Sequence, residues 1–303
     1  MLNLHLCTMT VFASRRALIL ALAAAPFAHA ADLLDSAPAS APNSAAALLA
    51  KLEGESGGRL GVAALNTGDG RRLLHRADER FPFCSTFKTM LCAAVLAREP
   101  ALLKKRVHYT KKDLVTYSPV TEKHVGKSMT VAALCEATIQ TSDNTAANLL
   151  MQQIGGPAAV TAFARSIGDM EFRLDRIETE LNTALPGDPR DTTTPVSMAE
   201  SLHKLLLGDG LGAVQRKQLK DWMLGNTTGD TRIRAGVPSG SLVADKTGTG
   251  DYGSTNDIGV IWQPGKAPIV LVTYLTQPGK DDKARSEILA EATRIVVEAF
   301  RVG

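Results

Sequence analysis

Long apolar runs, paired histidines and a charge excess are all missing from this sequence, and each absence excludes a class of protein. The apolar run near the N-terminus, Ala17 to Ala25, is shorter than the roughly 18 residues of a membrane-spanning helix, so a membrane anchor is not the expected reading. The six histidines are scattered, with no pair at metal-ligand spacing, which argues against a metal centre. Lys and Arg number 34 against 31 Asp and Glu, a formal charge of +3, and that balance points to neither a nucleic acid nor a membrane as partner. There is no internal repeat, and the low-complexity sequence is confined to an Ala/Ser/Pro patch around Ala37 to Pro42. What is present, 45% hydrophobic and 21% charged residues in 303, suffices to bury a core and reads as a soluble globular chain of one or two domains.

The first thirty residues have the make-up of an export signal: Arg15-Arg16, the apolar run, a helix-breaking Pro26 and the small-residue site Ala28-His29-Ala30. Cleavage after Ala30 is expected, leaving a secreted, periplasmic protein with no membrane contact once the leader is gone. Ser14-Arg15-Arg16 suits the twin-arginine route and general secretion equally. Losing Arg15 and Arg16 brings the charge from +3 to +1. The leader takes Cys7 with it and leaves Cys84, Cys92 and Cys135, an odd number in an oxidising compartment, for which one pair and one free thiol is the simplest arithmetic. No cysteine follows the cleavage site, so lipid anchoring there has no support.

Ser44 to Glu53 is Ala/Leu-rich and helical in pattern. Arg59 to Leu65 reads as a strand, Thr67-Gly68-Asp69-Gly70 as a turn, and Arg71 to His75 as its hairpin partner. Three more strand-like runs follow near the other end, Ser241 to Asp245, Ile258 to Trp262 and Pro268 to Tyr274, before a long amphipathic helix over Lys283 to Phe300. Between these ends, Phe83 to Gly225 is dominated by helical spacing of Ala, Leu and Met. The expected fold class is α/β of the α+β kind: a five-stranded antiparallel sheet flanked by helices, with a second, helical lobe. In residue terms, 31–80 and 225–303 form the α/β lobe, 81–224 the helical lobe. Asp175 to Pro195, rich in Pro, Gly, Asp and Thr, is a loop long enough to be functional.

Ser85-Thr86-Phe87-Lys88 follows the break at Pro82 and opens the helical run Thr89 to Arg98, which puts Ser85 at a helix N-terminus and Lys88 one turn on. Residues three apart share a face, so hydroxyl and amine can meet. A cation in a first helical turn opposes the helix dipole, a local rule broken in a way that often marks function. Ser-x-x-Lys arises by chance about once in a chain of this length; Ser201-Leu202-His203-Lys204 is such a second copy, read as exposed helix surface. The first copy has company in order: Ser142-Asp143-Asn144 in the helical part, then Lys246-Thr247-Gly248 at the end of a strand, each occurring once.

That trio is the signature shared by class A β-lactamases and penicillin-binding proteins, and the sequence resembles a class A serine β-lactamase over essentially its whole mature length. Glu178-Thr179-Glu180-Leu181-Asn182 resembles the family's E-x-x-L-N loop, and Asn182 to Asp191, with Gly187-Asp188-Pro189-Arg190-Asp191, resembles the cefotaxime-hydrolysing branch. The resemblance implies a monomer with the active site between the two lobes, hydrolysing penicillins and cephalosporins with no cofactor and no metal. It implies Ser85 as nucleophile, Lys88 or Glu178 as the base that activates it, Ser142 as relay to the departing nitrogen with Lys246 beside it, and Glu178 as activator of the deacylating water. For the substrate it implies Asn144 on the acylamide side chain, Asn182 on the water, Tyr117 as a wall, and the N–H groups of Ser85 and Thr249 as oxyanion hole. Thr247, Gly248 and Thr249 would line the carboxylate end, where Arg232 of Thr231-Arg232-Ile233-Arg234 is the candidate cation, with a solvated surface arginine as the alternative. An ion pair of Arg176 and Asp191 would clamp the Glu178 loop, and Cys92 and Cys135 match positions that form a disulfide in some members, leaving Cys84 free. Carbapenem-hydrolysing relatives place a cysteine after Lys-Thr-Gly to pair with the residue before the nucleophile; Thr249-Gly250 stands there instead. Two alternatives share the trio, a cell-wall D,D-peptidase or transpeptidase and a covalent β-lactam sensor. Glu178 and Asn182 argue against both.

Overall fold

In the computed structural model, which describes residues 44–301, strand β1 (Arg59–Asn66) turns back into β2 (Arg72–His75) with Val62 opposite His75. The turn is held by its own side chains: Asn66 Oδ1 accepts from Gly68 N at 2.9 Å and Asp69 Oδ1 from Arg71 N at 2.9 Å. Strands β7 (Leu242–Thr249), β8 (Thr255–Trp262) and β9 (Ile269–Thr276) complete a five-stranded antiparallel sheet of order β2-β1-β9-β8-β7. Strands β8 and β9 are buried along nearly their whole length rather than at alternate residues, because both faces of the sheet are covered. The leader residues 1–30 and the Ala/Ser/Pro patch lie outside the described residues.

On one face, Leu60, Val62 and Leu271 pack against Leu49 of helix α1 (Ala45–Ser56) and Leu289 and Val296 of α9 (Ser286–Ala299). On the other, Ala63, Val270, Val272 and Tyr274 join the core of the helical part: α2 (Phe87–Leu96), α3 (Val131–Gln140), α4 (Asn144–Ile154), α5 (Pro157–Ser166), α6 (Pro195–Leu206) and α7 (Ala213–Leu224). Every residue of α2 is buried, so that helix is the axis of the part that carries Ser85 and Lys88. A short helix α8 (Ile233–Gly236) and two small two-stranded sheets, β3 (Phe81–Pro82) with β6 (Thr192–Thr193) and β4 (Arg106–His108) with β5 (Ser128–Thr130), complete the set.

Three expectations change. The second Ser-x-x-Lys copy is not exposed helix surface: Ser201 is buried and its hydroxyl donates to Asp169 Oδ2 at 2.8 Å, while Lys204 Nζ donates to Ile167 O at 2.6 Å. Strand β7 does not stop at Asp245: Lys246 pairs with Ile258 and Thr249 with Thr255, so the Lys-Thr-Gly segment is itself strand, a continuation that a search for apolar runs misses because these residues are polar. The Cys92–Cys135 disulfide is absent; both are free, buried thiols. The Cys92 thiol donates to the Cys135 carbonyl oxygen at 3.8 Å, and burial holds the Cys135 thiol well above its ordinary range. Cys84 is free, as expected.

Two glycines separate close packing from simple permissiveness. A Cβ on Gly236 would lie 2.5 Å from Thr293 Cβ and against the Ala290 carbonyl of α9, whereas one on Gly54, inside α1, meets nothing within 4 Å. Gly236→Ala should therefore lower stability by about 1–3 kcal/mol, and Gly54→Ala should raise it by about 0.5–1 kcal/mol. Urea unfolding of both variants checks the contrast, which equal effects would refute.

Candidate active site

Ser85 stands in a 3-10 turn (Cys84–Thr86) that runs into α2, and its hydroxyl lies 3.2 Å from Glu178 Oε1. Lys88, in the first turn of α2 and fully buried, reaches four oxygens: Glu178 Oε1 at 2.9 Å, Ser142 O at 2.8 Å, Ser142 Oγ at 3.3 Å and Asn144 Oδ1 at 2.6 Å. From the opposite side Lys246 Nζ donates to Ser142 Oγ at 3.0 Å and Thr247 O at 2.7 Å. The Ser142 hydroxyl thus bridges two ammonium groups from different elements. Burial, and then the charge of Lys88, hold Lys246 well below the ordinary lysine range.

The backbone gives way where the site needs it. Cys84, Tyr117 and Ser142 all take positive φ, 46°, 64° and 58°, a costly conformation for residues with a Cβ that the surrounding contacts impose. Asp143 supplies much of that restraint. Its carboxylate caps α4 through Ala146 N (2.8 Å) and also accepts from Val120 N, Thr121 N and the Thr121 hydroxyl, tying the Tyr117 loop to the helix. Asn144 then joins both sides, its Nδ2 donating to Thr116 O at 2.8 Å and its N–H to Tyr117 O at 3.0 Å.

Besides Lys88, two asparagines fix Glu178. Asn182 Nδ2 donates to its Oε2 at 2.6 Å, and the Asn148 side chain brackets its backbone, accepting from Glu178 N at 2.9 Å and donating to Glu178 O at 2.8 Å. The loop is closed below by Arg176 and Asp191. Asp191 is fully buried; its Oδ2 accepts from Arg176 Nε at 2.5 Å and its Oδ1 from Asp175 N and Arg176 N.

Arg232 is not a solvated surface residue. It is 7% exposed, its Nη1 donates to Gly248 O and Asn256 O at 2.7 Å each, and its Nη2 to Thr249 Oγ1 at 2.7 Å. Arg234, one residue beyond Ile233, turns instead to the buried Asp245, at 2.7 Å. A cleft of about 360 Å³ is lined by Ser85, Tyr117, Ser142, Asn144, Asn182, Thr228, Arg232 and Thr247 to Thr249. Strand β7 passes the nucleophile at backbone contact: a Cβ on Gly248 would lie 2.7 Å from Phe83 O and 3.1 Å from Ser85 N. Of the residues singled out in the sequence, Arg176, Asp191, Lys88, Lys246, Glu178, Cys92 and Cys135 lie outside this lining; Glu178 touches Ser85 directly, and Lys88 touches Glu178.

Asn148, Asp143 and Thr228 were not singled out. The first two were within reach of sequence rules, Asp143 as a helix N-cap and Asn148 as the i+4 neighbour of Asn144 on one helix face. Thr228, whose hydroxyl meets Thr247 Oγ1 at 2.5 Å, comes from a loop and carries no local signal. Cys84, behind Ser85, is a buried thiol pushed up to about 12, first by burial and then by Glu178, and is inert rather than a competing nucleophile.

Asp191→Ala removes a buried carboxylate and strands the Arg176 guanidinium and two backbone N–H groups. The expected loss is about 3–5 kcal/mol of unfolding free energy. Urea denaturation measures it, and a loss below about 1 kcal/mol would show that the clamp does not hold the loop.

Comparison with known proteins agrees with this geometry. The β-lactamase enzyme family matches residues 44–300. A β-lactamase of Citrobacter koseri is 58% identical over 255 residues, covering 83% of this chain and 87% of the relative, and β-lactamase CTX-M-8 of Citrobacter amalonaticus is 54% identical over 272 residues, covering 88% and 94%. A solved structure of an engineered class A β-lactamase, reconstructed for the last common ancestor of Gram-negative bacteria, superposes with a TM-score of 0.83 at 61% identity, covering 86% of this chain and 99% of that one. The Ser85, Ser142 and Lys246 segments, brought around one cleft with Glu178 behind it, and these likenesses together make the chain a class A member of the β-lactamase enzyme family.

Proposed function

We propose that this β-lactamase opens penicillins and cephalosporins through an ester on Ser85 and clears that ester with water activated by Glu178. The activity itself, β-lactam hydrolysis leading to antibiotic resistance, follows from the family. One observation carries the route: Glu178 Oε1 touches both Ser85 Oγ and Lys88 Nζ, while Asn182 Oδ1 is buried and without a hydrogen-bond partner among the described residues. A buried acceptor beside a carboxylate suits a water molecule, which donates one O–H to each.

In the first half, Ser85 Oγ bonds to the lactam carbonyl carbon as its proton passes to Glu178 or Lys88. The C–N bond then breaks, and the nitrogen takes a proton from Ser142, which Lys88 and Lys246 flank and can resupply. In the second half, water attacks the ester carbon, gives its proton to Glu178, and the Ser85–carbon bond breaks with return of a proton to Ser85. The N–H groups of Ser85 and Thr249 form the oxyanion hole, worth about 10²–10³ in rate per donor. Asn144 receives the acylamide side chain and Tyr117 forms a wall. Thr247, Gly248, Thr249 and Arg232 bind the substrate carboxylate, and Arg176 and Asp191 hold the loop. The peptidase and sensor readings are not favoured, because the matching family and the relatives above are β-lactamases.

The division into an α/β lobe (31–80 and 225–303) and a helical lobe (81–224), export to the periplasm after loss of 1–30, and action as a monomer belong to the same proposal. Among the described residues no helix is long and apolar enough to cross a membrane.

Glu178→Ala should form the ester and fail to clear it, since general-base catalysis is worth about 10²–10⁴-fold. Intact-protein mass spectrometry after mixing with benzylpenicillin should show a lasting adduct on that variant and none on Ser85→Ala; turnover at the parent rate in Glu178→Ala would overturn the route. Arg232→Ala should lower kcat/KM by the equivalent of about 1.5–3 kcal/mol, the range for hydrogen bonds to charged groups. Unchanged steady-state kinetics would remove Arg232 from the carboxylate site.

A further inference from the structure

The near balance of charge over the whole chain, which gives no hint of a membrane partner, conceals a strongly uneven distribution. Between Lys104 and Lys127 there are seven basic residues against two acidic ones, Asp113 and Glu122. That local excess of five exceeds the +3 of the entire chain, so the remainder is net acidic. Lys104, Lys105 and Arg106 lead into β4, Lys111 and Lys112 occupy the turn beyond it, and Lys123 and Lys127 lie on the return to β5. All are exposed. Backbone and side-chain bonds draw the two stretches into one surface: Arg106 pairs with Thr130, Gly126 N donates to Tyr109 O, and the Tyr109 hydroxyl donates to Thr121 O at 2.7 Å.

Among the described residues none of these seven cations forms an ion pair, and only Arg106 uses its side chain in a hydrogen bond, to Ser128. Most arginines elsewhere are paired, Arg59 with Glu79, Arg176 with Asp191 and Arg234 with Asp245 among them. Seven like charges left without partners repel one another, and a polyanionic surface would relieve that repulsion. His108 and His124 lie exposed in the same surface.

We infer that this face docks on an anionic phospholipid bilayer. Clusters of four to eight Lys and Arg read as sites for anionic lipid, each residue near the surface contributing about 1 kcal/mol. A single-stranded nucleic acid would need exposed aromatic side chains on which bases stack; of the two tyrosines in this stretch Tyr109 is buried at 3% exposure, and the exposed Tyr117 lines the active-site cleft. The docking does not depend on the hydrolytic route, and its test reads no hydrolysis.

The test is co-sedimentation of the protein, purified from the soluble fraction without detergent, with phosphatidylglycerol/phosphatidylethanolamine vesicles and, separately, with phosphatidylcholine vesicles at low salt. The joint variant Lys111→Gln, Lys112→Gln, Lys123→Gln, Lys127→Gln is compared with Lys51→Gln, Lys217→Gln, Lys266→Gln, Lys283→Gln, which removes the same charge elsewhere. Binding to the anionic vesicles should fall at least about tenfold in the first variant, fall far less in the second, and vanish for all proteins near 1 M salt. Equal binding to phosphatidylcholine, or equal loss in both variants, would overturn the inference. Displacement from the vesicles by a single-stranded DNA at equal phosphate concentration would reassign the face to nucleic acid and overturn it as well.

Discussion

Two lysines buried in one small volume are the constraint to which the rest of the site answers. Lys88 and Lys246 are each fully buried and face each other across the Ser142 hydroxyl, at 3.3 and 3.0 Å. Removing an ammonium ion from water costs several kcal/mol even after relaxation, and like charges this close add to it. Compensation comes from every side: Glu178 and the oxygens of Ser142 and Asn144 for Lys88, Thr247 O with Asp245 and Asp257 behind it for Lys246. Burial raises both of those aspartates above the ordinary carboxylate range.

Satisfying the two cations dictates much of the surrounding architecture. Bringing the Ser142 carbonyl and hydroxyl to Lys88 requires a positive φ at Ser142, and Asp143 holds that turn by capping α4 and gripping Thr121. Bringing Glu178 to Lys88 requires a long loop to dip into the site, and that loop is fixed at its base by Asp191, along its backbone by Asn148, and near its C-terminal end by the pairing of β6 with β3. The sheet delivers Lys246 on an inner position of β7 with Asp257 on the neighbouring strand β8. Geometry that neutralises the lysines is therefore the same geometry that sets a base beside Ser85.

Much of this was legible in the chain because the fold and the chemistry leave different traces. Apolar alternation and turn residues located all five strands, the first helix and the last, to within a few residues. Ser85, Ser142 and Lys246 were legible through ordered motifs, and Glu178 with Asn182 through one loop pattern. The misses have a physical pattern too. Polar strand residues such as Lys246 and Thr247 escape hydrophobic periodicity, and loop contacts such as Thr228 with Thr247 depend on a tertiary meeting that no local rule encodes. The Cys92–Cys135 bridge failed because likeness of position is not likeness of state: the Cys92 thiol faces a carbonyl oxygen. Net charge failed differently, by averaging away the basic face between Lys104 and Lys127.

The central claim is that Asn182 and Glu178 jointly hold a water aimed at an ester on Ser85. A crystal structure of that ester, trapped with cefotaxime on the Glu178→Gln protein, tests it most directly. The account predicts an ordered water within about 3 Å of Asn182 Oδ1 and of the side chain at 178, on one side of the ester carbon, with the ester carbonyl oxygen turned to the N–H groups of Ser85 and Thr249. An ester carbonyl pointing away from both N–H groups, or an Asn182 Oδ1 engaged by protein or substrate with no water at hand, would contradict it.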